Sequence, residues 1–96
     1  MAEVGRKPNE SRFIDKAKAL EALGRYTEAI KTLNSVFRWY NASTNTWNAL
    51  GALYEQVGEY KYAAMNYAKS IETMGTGNIP FEYYQKLTDL YIQAKD

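Results

Sequence analysis

The sequence repeats itself at a fixed spacing. Phe13, Ala17, Leu20, Gly24, Tyr26, Ala29 and Leu33 recur 34 residues later as Trp47, Gly51, Tyr54, Gly58, Tyr60, Ala63 and Tyr67. A period between roughly 20 and 50 residues is the mark of an array whose units each leave an apolar face to be buried by a neighbour. A third, partial copy follows a short insertion: Tyr84, Leu87, Thr88 and Tyr91 stand 37 residues beyond Trp47, Leu50, Gly51 and Tyr54. The 96 residues therefore predict about two and a half units, the last supplying a single helix.

Inside each unit the apolar residues follow a helical period, as in Leu50, Leu53, Tyr54 and Val57, and then Tyr60, Ala63, Ala64, Tyr67 and Ile71. Gly24 and Gly58 stand where the first helix of each unit must stop and the chain turn, and Tyr26 and Tyr60 open the second. Asn9, Ser43 or Thr44, and the Asn78-Ile79-Pro80 segment supply helix-starting residues at the other boundaries. The pattern predicts helices near 10–23, 26–39, 43–57, 60–74 and 80–94. It divides the chain into a flexible start over 1–9 and one all-α domain over 10–96, built of units at 10–43 and 44–77 and a capping helix at about 80–94.

Composition narrows the chemistry. Hydrophobic residues at 46% and aromatics at 15% argue for a folded chain, and nine tyrosines suit thin helical layers that keep a hydroxyl wet. With no cysteine and no histidine, the chain lacks a thiolate nucleophile, imidazole acid/base chemistry and the usual zinc ligand sets. No cofactor and no metal site is expected. The net charge of +1 gathers neither nucleic acid nor a membrane surface. Residues 1–43 hold eight Lys and Arg against five Asp and Glu, and residues 44–96 hold four against six, a mild gradient expected of solvated surface. The polar start lacks the apolar run of a signal peptide, so a soluble, cytoplasmic protein is the default expectation, and the sequons at Asn9 and Asn41 are matches by chance.

Trp47, Leu50, Gly51 and Tyr54, followed by Gly58, Tyr60, Ala63 and Tyr67, resemble the tetratricopeptide repeat, whose W-x2-L-G-x2-Y pattern the first four meet letter for letter. The resemblance covers residues 10–93. It departs from the family pattern at Phe13 in place of Trp, at Lys16 where leucine is usual, and at Asn41 and Gly75 where proline is frequent. It implies a solenoid of helix-turn-helix units acting as a protein-protein interaction module or adaptor. Gly51, Ala17, Ala29 and Ala63 are small where helices approach, and Trp47, Tyr54, Tyr60 and Tyr67 fill the spaces between them. Trp39 is expected to pack and Tyr40 to be exposed.

In this family the first helix of each unit lines the concave surface. Helical spacing then puts Ser11, Ile14, Lys18 and Glu21 there from the first unit, Asn45, Asn48, Ala52 and Glu55 from the second, and Glu82, Gln85, Asp89 and Ile92, with Lys86 adjacent, from the third. The expected partner-binding residues are Lys18, Glu21, Asn45, Asn48, Ala52, Glu55, Gln85, Lys86 and Asp89. Asn48 leads them, because an amide that donates and accepts can grip a peptide backbone without reading side chains. The carboxylate clamp by which some family members capture a peptide C-terminus is not expected: its positions hold Ile14, Lys18, Ala49, Glu82 and Lys86, too few cations and no asparagine.

Two alternatives accompany the adaptor. Tyr83, Tyr84, Leu87, Leu90, Tyr91 and Ile92 cover more than one face of the last helix, which suggests self-association into a homo-oligomer, an assembly role, or a fragment of a longer array. Catalysis is not expected, since Asp15, Glu21, Glu55 and Asp89 come with no nucleophile or metal set. Gly75-Thr76-Gly77 follows a helix rather than a strand, which makes it a connection and not a phosphate loop. A nearly neutral groove also argues against RNA.

Overall fold

The computed structural model describes residues 8–75, 77 and 79–95. Among them the chain forms five α-helices, α1 (Glu10–Ala22), α2 (Tyr26–Asn34), α3 (Thr44–Gln56), α4 (Tyr60–Met74) and α5 (Phe81–Ala94), and no strand. The expected boundaries agree within one or two residues except at the end of α2. There the helix tightens into a 3-10 turn over Ser35–Arg38, where Ser35 Oγ bonds the Lys31 carbonyl and the Trp39 and Tyr40 amides both donate to the Val36 carbonyl. A serine hydroxyl competing for a helix carbonyl favours such a change of pitch.

The helices pair as antiparallel hairpins. Gly24 and Gly58 take φ of +78° and +81°, which only glycine adopts cheaply, and the chain reverses there within a few residues. Gly51 serves another purpose. A Cβ built on it would lie 2.9 Å from the Tyr67 ring, so glycine in mid-helix lets α3 and α4 close on each other. The start of α3 meets the end of α4, where the Thr44 and Thr73 hydroxyls bond at 2.6 Å.

Two buried clusters run through the layers. Ala17, Ala29, Leu33, Leu50 and Leu53 join α1, α2 and α3, and Ala63, Ala64 and Leu90 join α4 and α5. Tyr54 packs against both. Trp47, Tyr54, Tyr60 and Tyr67 are half-buried beside these clusters, as their spacing predicts, and Phe37 rests on Trp47 with ring centroids 4.9 Å apart. Trp39 differs from expectation, remaining 37% exposed just past the 3-10 turn. Tyr40 differs in the opposite sense: it is half-buried, and its hydroxyl donates to the Pro8 carbonyl at 2.6 Å.

Asn9 and Ser43 take the N-cap positions of α1 and α3, as expected, but the side-chain bonding at the start of α3 comes from another helix. Neither Asn9 nor Ser43 caps its own helix through its side chain. Instead Glu10, the first residue of α1, accepts the Ser43 amide at 2.8 Å, the Ser43 hydroxyl at 2.9 Å and the Thr46 hydroxyl. A carboxylate at the start of α3 also suits the positive end of that helix. Burial alone would push the Glu10 carboxyl up, but the Ser43 amide and the Thr46 and Ser43 hydroxyls outweigh it and hold the group below the ordinary glutamate value. Asn78, expected among the helix-starting residues of α5, lies outside the described residues; Pro80, with φ −56°, immediately precedes that helix.

Candidate functional site

Helical spacing determines which side chains share a face, and α1 and α3 turn theirs toward one hollow. It has a volume of about 550 Å³ and is lined by Ile14, Lys18, Glu21, Asn45, Asn48, Ala49, Ala52, Tyr67 and Tyr83. Five of the expected binding residues, Lys18, Glu21, Asn45, Asn48 and Ala52, thus meet around a single space. An adjoining hollow of about 500 Å³ is bounded by Ala52, Glu55, Tyr60, Tyr67 and Lys86, which brings in two more. Gln85 and Asp89 lie exposed on α5 outside both hollows, and Ser11 lies exposed on α1 outside them too. Ile92, expected along the groove, is 65% exposed and belongs to a different face of α5, because its position falls between Phe81 and Gln85 on the helix circumference.

Asn48 is the most constrained group in the hollow. Its Nδ2 donates to the Tyr83 hydroxyl at 2.8 Å, while its Oδ1 is buried and has no hydrogen-bond partner among the described residues. Leaving a carbonyl in that condition costs about 1–3 kcal/mol. Half of the amide is therefore used to tie α3 to α5, and the other half is unsatisfied.

Charge in the hollows is balanced. Lys86 Nζ lies 3.1 and 3.3 Å from the two Glu55 carboxylate oxygens, bridging α5 to α3. Both side chains are partly exposed, so the pair contributes about 0.2–1 kcal/mol and mainly fixes position. The same ammonium sits 6.0 Å from the centre of the Tyr67 ring, at the outer limit of a cation–π contact. Burial first, then the neighbouring Glu55, Tyr83 and Glu21, push the Tyr67 hydroxyl up to about 12, so it is a neutral donor throughout the ordinary pH range. Lys18 and Glu21 enter no ion pair among the described residues, which leaves one charge of each sign open on the α1 side.

Tyr67 and Tyr83 are the groove residues that sequence reasoning missed. The repeat position of Tyr67 places it in the core, and it does pack there, but its ring, against Gly51, also lines the hollow. Tyr83 stands three residues before Lys86, one turn away on the same side of α5, and that spacing is the available signal. Among the described residues no three carboxylates come close enough to hold a metal ion, and no helix is long and apolar enough to cross a membrane. Compared with family models, with curated proteins and with solved structures, the chain matches none.

Proposed function

We propose that the chain is a tetratricopeptide-type solenoid of two units and a closing helix that works as an adaptor, holding a peptide or helix of a partner protein in the hollow between α1, α3 and α5. The observation that carries this reading is the convergence of Lys18, Glu21, Asn45, Asn48 and Ala52, from two helices 34 residues apart in sequence, around one hollow that also holds an unsatisfied amide oxygen. A volume near 550 Å³ lies within the range of roughly 300–1,000 Å³ usual for ligand sites. A peptide backbone supplies N–H donors at regular intervals, which is what the unpaired Asn48 Oδ1 lacks. The Tyr67 and Tyr83 rings offer apolar area with hydroxyl ends, a surface that binds without large entropic cost. With charges of both signs and no clamp of cations, the groove suits a peptide of balanced charge held along its length.

Selection from a random peptide display library tests the proposal. Peptides enriched on the wild type should lose at least about tenfold in affinity on Asn48→Ala, and more on Asn48→Ala combined with Lys86→Glu. The proposal fails if the library yields no binder, or if the enriched peptides bind the variants equally well.

A further inference from the structure

The outward face of α5 repeats a pattern that elsewhere in the molecule is covered. Phe81, Tyr84, Thr88 and Tyr91 are spaced alternately by three and four residues, the spacing of a seam that packs against another helix, and Lys95 follows just past the helix end. The corresponding residues of α3 are Thr44, Trp47, Gly51 and Tyr54, and α4 lies over them through the Thr44–Thr73 bond, the Tyr67 ring on Gly51 and the Tyr54–Tyr62 ring pair at 5.5 Å. On α5 the seam is open: Phe81 is 77%, Tyr84 48% and Tyr91 55% exposed, with Ile92 beside them.

We propose that this stripe pairs with the same stripe of a second copy, the two α5 helices lying antiparallel and crossing at Thr88. The seam is its own complement about that residue. Antiparallel pairing sets Tyr84 of one copy against Tyr91 and Ile92 of the other, Phe81 against Lys95, and Thr88 against Thr88, which is the self-matching that a two-fold interface requires. Charge selects the direction. A parallel pair would place the two Lys95 residues side by side, whereas the antiparallel pair brings each, just past the end of one α5, to the exposed Phe81 ring at the start of the other. The stripe itself holds no carboxylate.

Thr88 also disfavours a helix of the α4 kind. The Tyr67 ring comes so close to α3 that a Cβ on Gly51 would lie 2.9 Å from it, and a threonine at the matching place on α5 leaves no room for such a ring, while two threonines facing each other fit. Head-to-tail stacking is disfavoured at the other end, where Arg12, Asp15 and Lys16 stand exposed on α1. At roughly 150–250 Å² for a whole aromatic side chain, the exposures of Phe81, Tyr84, Tyr91 and Ile92 leave about 500 Å² on each copy. Covering these side chains completely on two copies removes at most about 1,000 Å² from water, the low end of what a specific interface buries, so the association is a weak one.

Sedimentation of the full chain between about 1 and 500 µM should show the mass rising toward twice the monomer value, while Tyr84→Lys stays monomeric with an unchanged helical circular dichroism spectrum. Because the chain has no cysteine, Thr88→Cys introduces a single thiol. Under oxidised glutathione it should form a disulfide-linked dimer, and Lys61→Cys, exposed on α4, should not. A wild type that is monomeric at the highest concentration, a Tyr84→Lys variant that still dimerises, or equal cross-linking at both cysteines would overturn the proposal.

Discussion

The outermost helices, α1 and α5, are related by the same sequence period yet turn opposite surfaces to solvent. On α3 the positions Thr46, Leu50 and Leu53 are buried, with Leu50 and Leu53 packed into the cluster formed with α1 and α2. Their counterparts on α1 are Arg12, Lys16 and Ala19, all exposed, and Asp15 stands beside them. On α5 the counterparts of the α3 residues that face α4 are Phe81, Tyr84, Thr88 and Tyr91, three of them aromatic and all exposed. A charged face rests in water at no cost, whereas a contiguous apolar stripe there carries an unfavourable free energy that another surface can relieve. The period that makes helices stack therefore does not by itself decide which helix faces are charged and which apolar; substitutions at a few positions do.

The sharpest way to break this comparison is to truncate equivalent positions. Leu90, fully buried, corresponds to Leu53 and to the exposed Ala19. Leu90→Ala should cost about 2–5 kcal/mol and lower Tm by about 10 °C or more in thermal denaturation, while Ala19→Ser changes stability by less than about 0.5 kcal/mol. If both variants melted alike, the assignment of covered and uncovered faces would be wrong.

A smaller effect separates the covered seam from the open one. Gly51→Ala should cost about 1–3 kcal/mol, because its Cβ would lie 2.9 Å from a half-buried Tyr67 ring that cannot simply swing away. Shifting that ring should also weaken peptide binding, since Tyr67 lines the hollow. Thr88→Ala, at the equivalent place on α5, should leave folding stability within about 0.5 kcal/mol in urea titration.

Much of this was legible in the sequence, and for identifiable reasons. Helix positions followed from the apolar period and from Gly24 and Gly58, whose positive φ the turns require. The groove stripe of α1 and α3 followed from the same period, because residues on one helical face must share a surface. What escaped were relations between distant residues. The Glu10 carboxylate reaches Ser43 and Thr46 from over 30 residues away, and Tyr83 takes the amide of Asn48 at a similar separation. Nothing local announces either contact. Long side chains also serve two surfaces at once, so Tyr67, placed in the core by its register, contributes to the hollow as well.

The smallest predicted loss of stability concerns that Glu10 contact, which joins the start of α1 to α3. Glu10→Gln should cost about 1 kcal/mol after allowance for solvent screening. Because the folded carboxyl titrates below its ordinary value of 4.5, its stabilisation is present above that pH and is lost as pH falls through the folded value. The wild type should therefore lose stability relative to Glu10→Gln on acidification through that window. An unchanged difference between the two, followed by urea unfolding across pH, would remove the carboxylate from the account.

The most direct test of the central claim is a map of backbone amide shift changes as a display-selected peptide is titrated into the protein. The account predicts changes concentrated at Lys18, Glu21, Asn45, Asn48, Tyr67 and Tyr83. Changes confined to Phe81, Tyr84, Tyr91 and Ile92, or to the outer surface of α2, would contradict it.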